Sequence, residues 1–396
     1  MFLNYTNPIF STPCNTNLNA LQPPSQNVII RVMKVHENIL ISSLTTMRLG
    51  GPARYVLEVE SPSDVADAYG FAAQFNLPTF VLGYGANTIG HDEGFNGVII
   101  INRMQGIEAV AAGGRSTSSE DRKLGRAPLS VSSEKVLDQD PPQTSIKVMG
   151  GEYWDNVVAY ACEKGLTGIE ALSKIPGLAG AAPVQNIGAY GQEIADVLDS
   201  IDVFDTTSQT FKTLTKSDLH FSYRKSILNT TERNRYFVIS LTLTLRPGSM
   251  PRPFYNSIEK YISTNQLTDF SPQGIRDIVS AIRADKLPDP LKKASAGSFF
   301  KNVYLTNAEA ERAEEKGYPV HRGKDGNKIN SGWFIEQAGF KGQLLHGIRV
   351  NEKACLVLIN ESAKSYNDLA KAKSEISSKV YDKFGYWLEQ EPVEIP

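Results

Sequence analysis

Ile175-Pro176-Gly177-Leu178-Ala179-Gly180-Ala181-Ala182-Pro183-Val184-Gln185-Asn186-Ile187-Gly188-Ala189-Tyr190-Gly191 packs four glycines and four alanines into 17 residues without one charged side chain. Side chains this small leave the backbone open to a flat, extended, partly apolar ligand, and Gln185 and Asn186 add amide hydrogen-bonding groups. Crowded packing without a ligand accounts for the same composition. A second glycine-rich stretch, Gly83-Tyr84-Gly85-Ala86-Asn87, follows the short apolar run Thr79 to Leu82. Its glycines let backbone N–H groups approach an anion closely, although a tight strand-to-loop turn reads the same way. It lacks the third glycine of a Rossmann fingerprint, and Thr88 to Phe95, with Gly90 and Gly94, is too turn-rich to open a helix. Two such loops suggest a flavin dinucleotide held by backbone rather than by a Rossmann helix.

The surroundings read as mixed α and β. Tyr55, Leu57 and Val59 alternate as a strand, Ser61 to Asp64 supplies a helix start, and Val65, Ala68, Ala72 and Phe75 follow at helical spacing before Thr79 to Leu82. Val98 to Ile101 is a further strand. Trp154, Val157, Val158 and Ala161 form a helix face that Gly165 caps, and Val238 to Leu245 alternates as a strand. Ile275 to Ala284 and Leu369 to Phe384 carry helical periodicity, and Cys355 to Ile359 is an apolar strand. Pro- and Gly-rich residues 246–253 suggest a domain boundary, giving residues 36–250 and 251–396 as the two domains. Residues 1–35 read as a disordered leader, with Met33 an alternative start, and residues 111–145 as a disordered surface insertion or a partner-binding loop.

Composition narrows the function. With 396 residues, Lys plus Arg 41 against Asp plus Glu 43, and a net charge of −2, the chain has room for two or three domains and carries no basic excess for nucleic acid or anionic membrane. Cys14, Cys162 and Cys355 are few and far apart, which fits a reducing compartment. The five histidines, His36, His91, His220, His321 and His346, show no HxH or HExxH spacing, so no metal site is expected. No apolar stretch reaches the roughly 18 to 20 residues that span a bilayer, and the N-terminus has no signal-peptide pattern. A cytoplasmic, monomeric protein without membrane or nucleic-acid partners is expected.

Five segments together resemble the UDP-N-acetylenolpyruvoylglucosamine reductase (MurB) family: Gly83 to Asn87, Ile175 to Gly191, Tyr223-Arg224-Lys225-Ser226, Ala296-Gly297-Ser298-Phe299-Phe300-Lys301-Asn302, and Trp387-Leu388-Glu389-Gln390-Glu391. The resemblance implies an α+β architecture: an FAD-binding fold of the PCMH/vanillyl-alcohol-oxidase type followed by a smaller α+β substrate-binding domain. It also implies non-covalent FAD, NADPH as hydride donor, and reduction of the enolpyruvyl group of UDP-GlcNAc-enolpyruvate to the lactyl ether of UDP-N-acetylmuramate, a peptidoglycan precursor. Hydride arriving at the terminal vinyl carbon pushes electrons toward the carboxylate, so the reaction needs a fixed cation or strong donors, and an acid to protonate the other carbon.

On this resemblance Arg224 stabilises the developing charge, Ser298 donates the proton with Lys301 or Arg224 as cationic neighbours, and Glu391 places the intermediate or its proton, with Glu389 the alternative. Flavin contacts fall on Gly83, Tyr84, Gly85, Ala86, Asn87, Thr88, Pro176, Gly177, Gly180, Ala181, Asn186, Gly188, Ala189, Tyr190 and Gly191. Substrate contacts fall on Tyr255, Arg283, Lys286 and Asn302, with packing the alternative for Tyr255 and a solvated charge for Lys286. The chain departs from the family pattern: Ala86 and Ala181-Ala182 replace serines of the flavin loops, Thr45-Thr46-Met47 replaces Asn-Thr-Phe, and Pro392 follows Glu391 without the usual basic residue. Two alternatives stay open. One is an FAD oxidase of the same superfamily, against which stands the lack of a histidine or cysteine tether between Gly83 and Gly90. The other is a flavin-binding protein that has lost catalysis.

Overall fold

A computed structural model of the chain describes residues 34–110, 143–323 and 326–395. The expected leader and insertion fall outside these residues except at their edges, where Lys34 and Thr144 already begin strands, earlier than the sequence reading placed ordered chain. Contacts divide the protein into two compact units. Among the described residues the first joins 34–59 with Ser63–Ile101 and those from Leu287 onward, and the second joins Glu60–Pro62 with 102–110 and 143–286. The expected boundary at residues 246–253 lies inside the second unit, where Arg246 pairs with Thr167 and the Gly248 amide donates to Gly165 O.

The first unit opens with β1 (Lys34–Leu40), β2 (Pro52–Val59), α1 (Pro62–Gln74), β3 (Thr79–Leu82), β4 (Thr88–Gly90) and β5 (Phe95–Asn102). The sheet order is β1-β2-β5-β3, with β1 and β2 antiparallel and β3 parallel to β5 in the register Thr79↔Val98. α1 buries Val65, Ala68, Tyr69 and Ala72, a single stripe at helical spacing. The sheet core gathers Ile41, Val56, Leu82, Phe95, Ile99 and Ile101.

The second unit contains β6 (Ile107–Val110), β7 (Thr144–Met149), α2 (Trp154–Glu163), β8 (Leu198–Asp205), β9 (Thr210–Thr215), β10 (Tyr236–Pro247), α3 (Asn256–Asn265) and α4 (Pro272–Lys286). Its antiparallel sheet runs β9-β8-β10-β7-β6. Against that core α2 buries Trp154, Val157, Val158 and Ala161, and the Trp154 indole donates to Leu172 O at 3.1 Å. α3 and α4 share a separate cluster of Ile258, Ile262, Ile275, Ile278, Val279 and Ile282. Each such side chain contributes roughly 1.5–3 kcal/mol when fully buried.

From Leu287 the chain completes the first unit: β11 (Ser295–Ser298), β12 (Val303–Leu305), α5 (Asn307–Glu315), β13 (His321–Gly323), β14 (Gly326–Ile329), α6 (Ser331–Gln337), β15 (Ile348–Val350), β16 (Val357–Asn360), α7 (Tyr366–Phe384) and β17 (Val393–Ile395). β11-β16-β15 form a sheet that ends in Leu344–Leu345, and β12-β14-β13 form another. β17 pairs in parallel with β4, so the last described residues lie beside the glycine turn. α7 starts at a capping box, Ser365 with Asp368, and stops at Gly385.

Candidate active site

In the first unit the glycine turn, the Ser298 segment and the C-terminal segment are stitched together by backbone. Gly85 sits at φ +73, and a Cβ there would lie 2.2 Å from Leu44 O and 2.8 Å from Thr45 Cα, so glycine alone fits. Its carbonyl accepts the Thr46 amide at 3.0 Å. The Thr46 hydroxyl lies 2.6 Å from Ser295 O and 3.3 Å from Gly85 O, and with one proton to give, its principal bond is the shorter one. The Ser295 amide donates back to Thr46 O at 3.0 Å. Thr46 therefore ties the turn to β11, the strand that ends in Ser298.

β11 pairs with β16 through Ser295↔Ile359 and Ser298↔Val357, with a bulge between them at Ala296 and Gly297, the latter at φ +70. The bulge re-aims the strand just before Ser298. Beyond it the Glu391 amide donates to Phe299 O at 2.9 Å, Phe300 bridges Gln390, and the Lys301 amide donates to Glu389 O at 2.8 Å. The Val393 amide then donates to Asn87 O at 2.9 Å. Glu391 is thus held at the carbonyl of the residue that follows Ser298. Lys301 spends its ammonium in an ion pair with Glu389, whose side chain is 73% exposed. The Asn302 side-chain carbonyl accepts the Ser331 amide at 3.3 Å, so it faces the start of α6.

In the second unit the loop Ile175–Gly191 leans on its own scaffold. Gly177 O accepts the Trp154 amide at 3.0 Å, the Ala179 amide donates to Glu152 O, and the Gly180 amide donates to Gly150 O, both at 2.8 Å. Pro176 and Ala181 are exposed, and a Cβ built at Gly177 or Gly191 would meet nothing within 4 Å, leaving open space beside the backbone there. Asn186, an expected flavin contact, turns its side chain inward. It is 1% exposed, its amide nitrogen donates to Glu193 at 2.8 Å and to Ser222 O at 3.3 Å, and its oxygen accepts from the Ala195 amide. These bonds brace the loop from within.

The same loop receives Arg224. Ser222 and Lys225 exchange backbone hydrogen bonds of 3.0 Å, which sets Tyr223 and Arg224 at the tip of a tight turn with Arg224 at φ +55. The guanidinium donates to Gly188 O at 3.1 Å and lies 5.0 Å from the Tyr223 ring centroid. Ser226 fastens the turn from behind by donating to Val184 O at 2.7 Å. A non-glycine residue in this left-handed region persists where its surroundings over-determine it, as at functional sites.

Two expected substrate residues gather on an expected flavin residue. The Tyr190 and Tyr255 rings meet edge to face at 5.9 Å, and Arg283, in the last turn of α4, interacts electrostatically with Tyr190. Burial pushes the Arg283 pKa down and that of Tyr190 up, while each favours the other's charged form. Arg283 Nε is buried without a hydrogen-bond partner among the described residues. Lys286, three residues on, is exposed. The sequence reading missed Thr46, Glu193 and Ser226 as supports of these loops, because a hydroxyl or carboxylate that bonds a distant carbonyl or amide leaves no periodic signal.

Family models match residues 106–213, as an FAD binding domain, and residues 289–395, as the C-terminal domain of UDP-N-acetylenolpyruvoylglucosamine reductase. A UDP-N-acetylenolpyruvoylglucosamine reductase from Vibrio parahaemolyticus is 33% identical over 364 residues, covering 91% of this chain and 94% of that protein. One from Ralstonia nicotianae is 34% identical, covering 88% and 96%. The crystal structure of the Thermus caldophilus reductase, 23% identical, superposes with a TM-score of 0.59 over 92% of this chain and 100% of that one, a likeness of fold. The architecture is accordingly α+β with an FAD-binding fold of the PCMH type. At this identity over about nine-tenths of its length, the chain belongs to the UDP-N-acetylenolpyruvoylglucosamine reductase family.

Proposed function

We infer that the protein reduces UDP-GlcNAc-enolpyruvate to UDP-N-acetylmuramate with NADPH. The observation that carries this reading is the backbone ladder that sets Glu391 against the residue after Ser298. The described residues fit an FAD. The two glycine loops offer uncharged backbone, with open space at Gly177 and Gly191. When bound, FAD supplies the two-electron relay between the nicotinamide and the vinyl group.

The residues then divide the work. Hydride delivered to the terminal carbon makes the other carbon electron-rich and loads charge onto the carboxylate, and the paired donors of Arg224 stabilise that charge. Ser298 gives a proton to the electron-rich carbon and breaks its O–H bond as the C–H bond forms. Glu391, whose amide is held on Phe299 O, orients the intermediate or carries the proton, with Glu389 the alternative. In balance, substrate, NADPH and one proton give product and NADP⁺. Gly83, Tyr84, Gly85, Ala86, Asn87 and Thr88 of the first unit, and Pro176, Gly177, Gly180, Ala181, Asn186, Gly188, Ala189, Tyr190 and Gly191 of the second, serve the flavin. Tyr255, Arg283, Lys286 and Asn302 serve the UDP-sugar. In this functional division residues 36–250 carry the flavin and 251–396 the substrate.

No helix among the described residues is long and apolar enough to cross a membrane. NADPH and a nucleotide sugar as reactants support a cytoplasmic location, and the protein is taken as a monomer whose product feeds peptidoglycan synthesis and thereby cell shape and division. The test is direct. Purified protein should be yellow, its flavin bleached by NADPH and recoloured anaerobically by UDP-GlcNAc-enolpyruvate; bleaching without recolouring by that substrate would reject the reading, and recolouring by oxygen alone would favour the oxidase.

A further inference from the structure

β17 is held by a side-chain cluster that the reaction as described does not use. The Glu394 carboxylate is reached from several sides: Tyr366, at the start of α7, donates its hydroxyl at 2.8 Å, the Gln390 amide donates at 3.0 Å, and His91 Nε2 lies 3.0 Å away. Lys373, two turns along α7, sets its ammonium 3.5 Å from Glu394 and donates to the Gln390 side-chain oxygen at 3.0 Å. The His91 ring stacks on Tyr366 at 3.8 Å, and Asp92 accepts the Tyr366 amide at 2.7 Å. Loop, helix and strand are therefore fastened to one another at a single carboxylate. Burial would raise the pKa of Glu394, but the hydrogen bonds from Tyr366, Gln390 and His91, with the Lys373 charge, outweigh it and bring it down to about 2.

The consequence falls three residues upstream. Glu391 is fixed at its own amide by Phe299 O, and Val393, two residues on, is fixed by Asn87 O as Glu394 pairs with Ile89. Pro392 stands between the two anchors, and its ring locks φ, so the link is stiff. Whatever holds β17 on β4 thereby sets the direction in which Glu391 leaves the ladder. We propose that Glu394 is a positioning residue for the reduction step, which acts by pinning β17 to the His91 loop and to α7 so that Glu391 keeps its place beside the Ser298 segment. The role rests on the reductase reading and on the part of Glu391 in it.

The full-length flavoprotein serves for the test, as wild type, Glu394→Ala, Glu394→Gln, Glu391→Gln and the double variant Glu391→Gln/Glu394→Ala. Amide hydrogen exchange at Glu391 and Val393 should quicken at least tenfold in Glu394→Ala. Reoxidation of its flavin by UDP-GlcNAc-enolpyruvate should slow at least tenfold, with reduction by NADPH within twofold of wild type. Because Glu394 acts through Glu391, its removal should cost less than threefold more in the Glu391→Gln background. Glu394→Gln keeps an oxygen for the Tyr366 hydroxyl and should recover part of the loss. Unchanged exchange, equal slowing of both half-reactions, or the full factor appearing in the Glu391→Gln background would each overturn the proposal. Should Glu394→Ala not accumulate as folded protein, Tyr366→Phe, which deletes a single bond, gives the same readouts with about threefold effects expected. A wild type that its substrate cannot reoxidise overturns the reductase reading and this role together, whereas normal wild-type turnover with multiplicative variants overturns this role alone.

Discussion

Replacing Arg224 by glycine and by alanine separates a catalytic guanidinium from a structural one. Both variants lose the bond to Gly188 O and the contact with the Tyr223 ring, so those losses cancel in the comparison. The backbone does not cancel. Arg224 sits at φ +55, where a Cβ costs about 1–2 kcal/mol that glycine avoids. Glycine gives back about 0.4–1 kcal/mol through its freer unfolded chain. The glycine variant should therefore be the more stable of the two by about 1 kcal/mol, or about 2–4 °C in a unit of this size. Catalysis should ignore that difference. Loss of a donor aimed at developing charge costs about 10²–10³ in rate, and both variants should show it in flavin reoxidation by UDP-GlcNAc-enolpyruvate, measured by anaerobic rapid mixing beside the NADPH half-reaction. Activity that returns in the glycine variant in step with its stability would make Arg224 a support of the loop and refute the electrostatic role; so would reoxidation within threefold of wild type in both.

Ser298→Ala should leave flavin reduction by NADPH unchanged and slow reoxidation by about 10²–10⁴, the usual worth of a positioned proton donor, and equal slowing of both half-reactions would contradict that role. Asp155 accepts both guanidinium nitrogens of Arg276, at 2.7 and 3.0 Å, and the Lys174 ammonium at 2.7 Å. Burial alone would raise its carboxyl, but these partners hold it well below the usual carboxylate range, so its stabilisation is full above the unfolded value of about 4 and is lost as pH falls toward the folded one. Thermal unfolding followed from pH 7 to pH 3 should therefore fall more steeply for wild type than for Asp155→Asn below about pH 4; parallel curves would reject the linkage.

Much of the fold was legible because its strongest elements obey simple periods. The α4 stripe of Ile275, Ile278, Val279 and Ile282 and the short strand Thr79–Leu82 stand where the sequence puts them. The β8–β9 hairpin escaped notice because β8 carries bulges between Leu198 and Ser200 and between Asp202 and Val203, which break the two-residue alternation that betrays a half-buried strand. α5 is short and carries only Ala310 and Ala313 inward, although its Thr306–Glu309 capping box was readable. The site divides in the same way. Segments rich in glycine and small residues announced themselves by composition, as did the Arg224 turn by its neighbours. The Thr46 link to Ser295 and the closure of β17 on β4 join residues some 250 and 300 positions apart, and no local pattern records such a pairing.

Ala86 poses the remaining question of how much the flavin loops depend on side chains at all. It is 8% exposed, between Gly85, locked by Leu44 and Thr45, and Asn87, whose carbonyl is taken by the Val393 amide. Both neighbours are fixed through main-chain contacts, so the course of the turn does not depend on a hydroxyl at position 86. A serine there adds at most one neutral hydrogen bond, about 1 kcal/mol net, or about fivefold in Kd. Ala86→Ser should therefore tighten FAD binding by no more than about fivefold, measured by titrating the flavin-stripped protein and following flavin fluorescence. A hundredfold gain would mean that the hydroxyl, and not the backbone, supplies the decisive contact. The lost serine would then count as a functional defect, and the activity expected of the chain would have to be lowered accordingly.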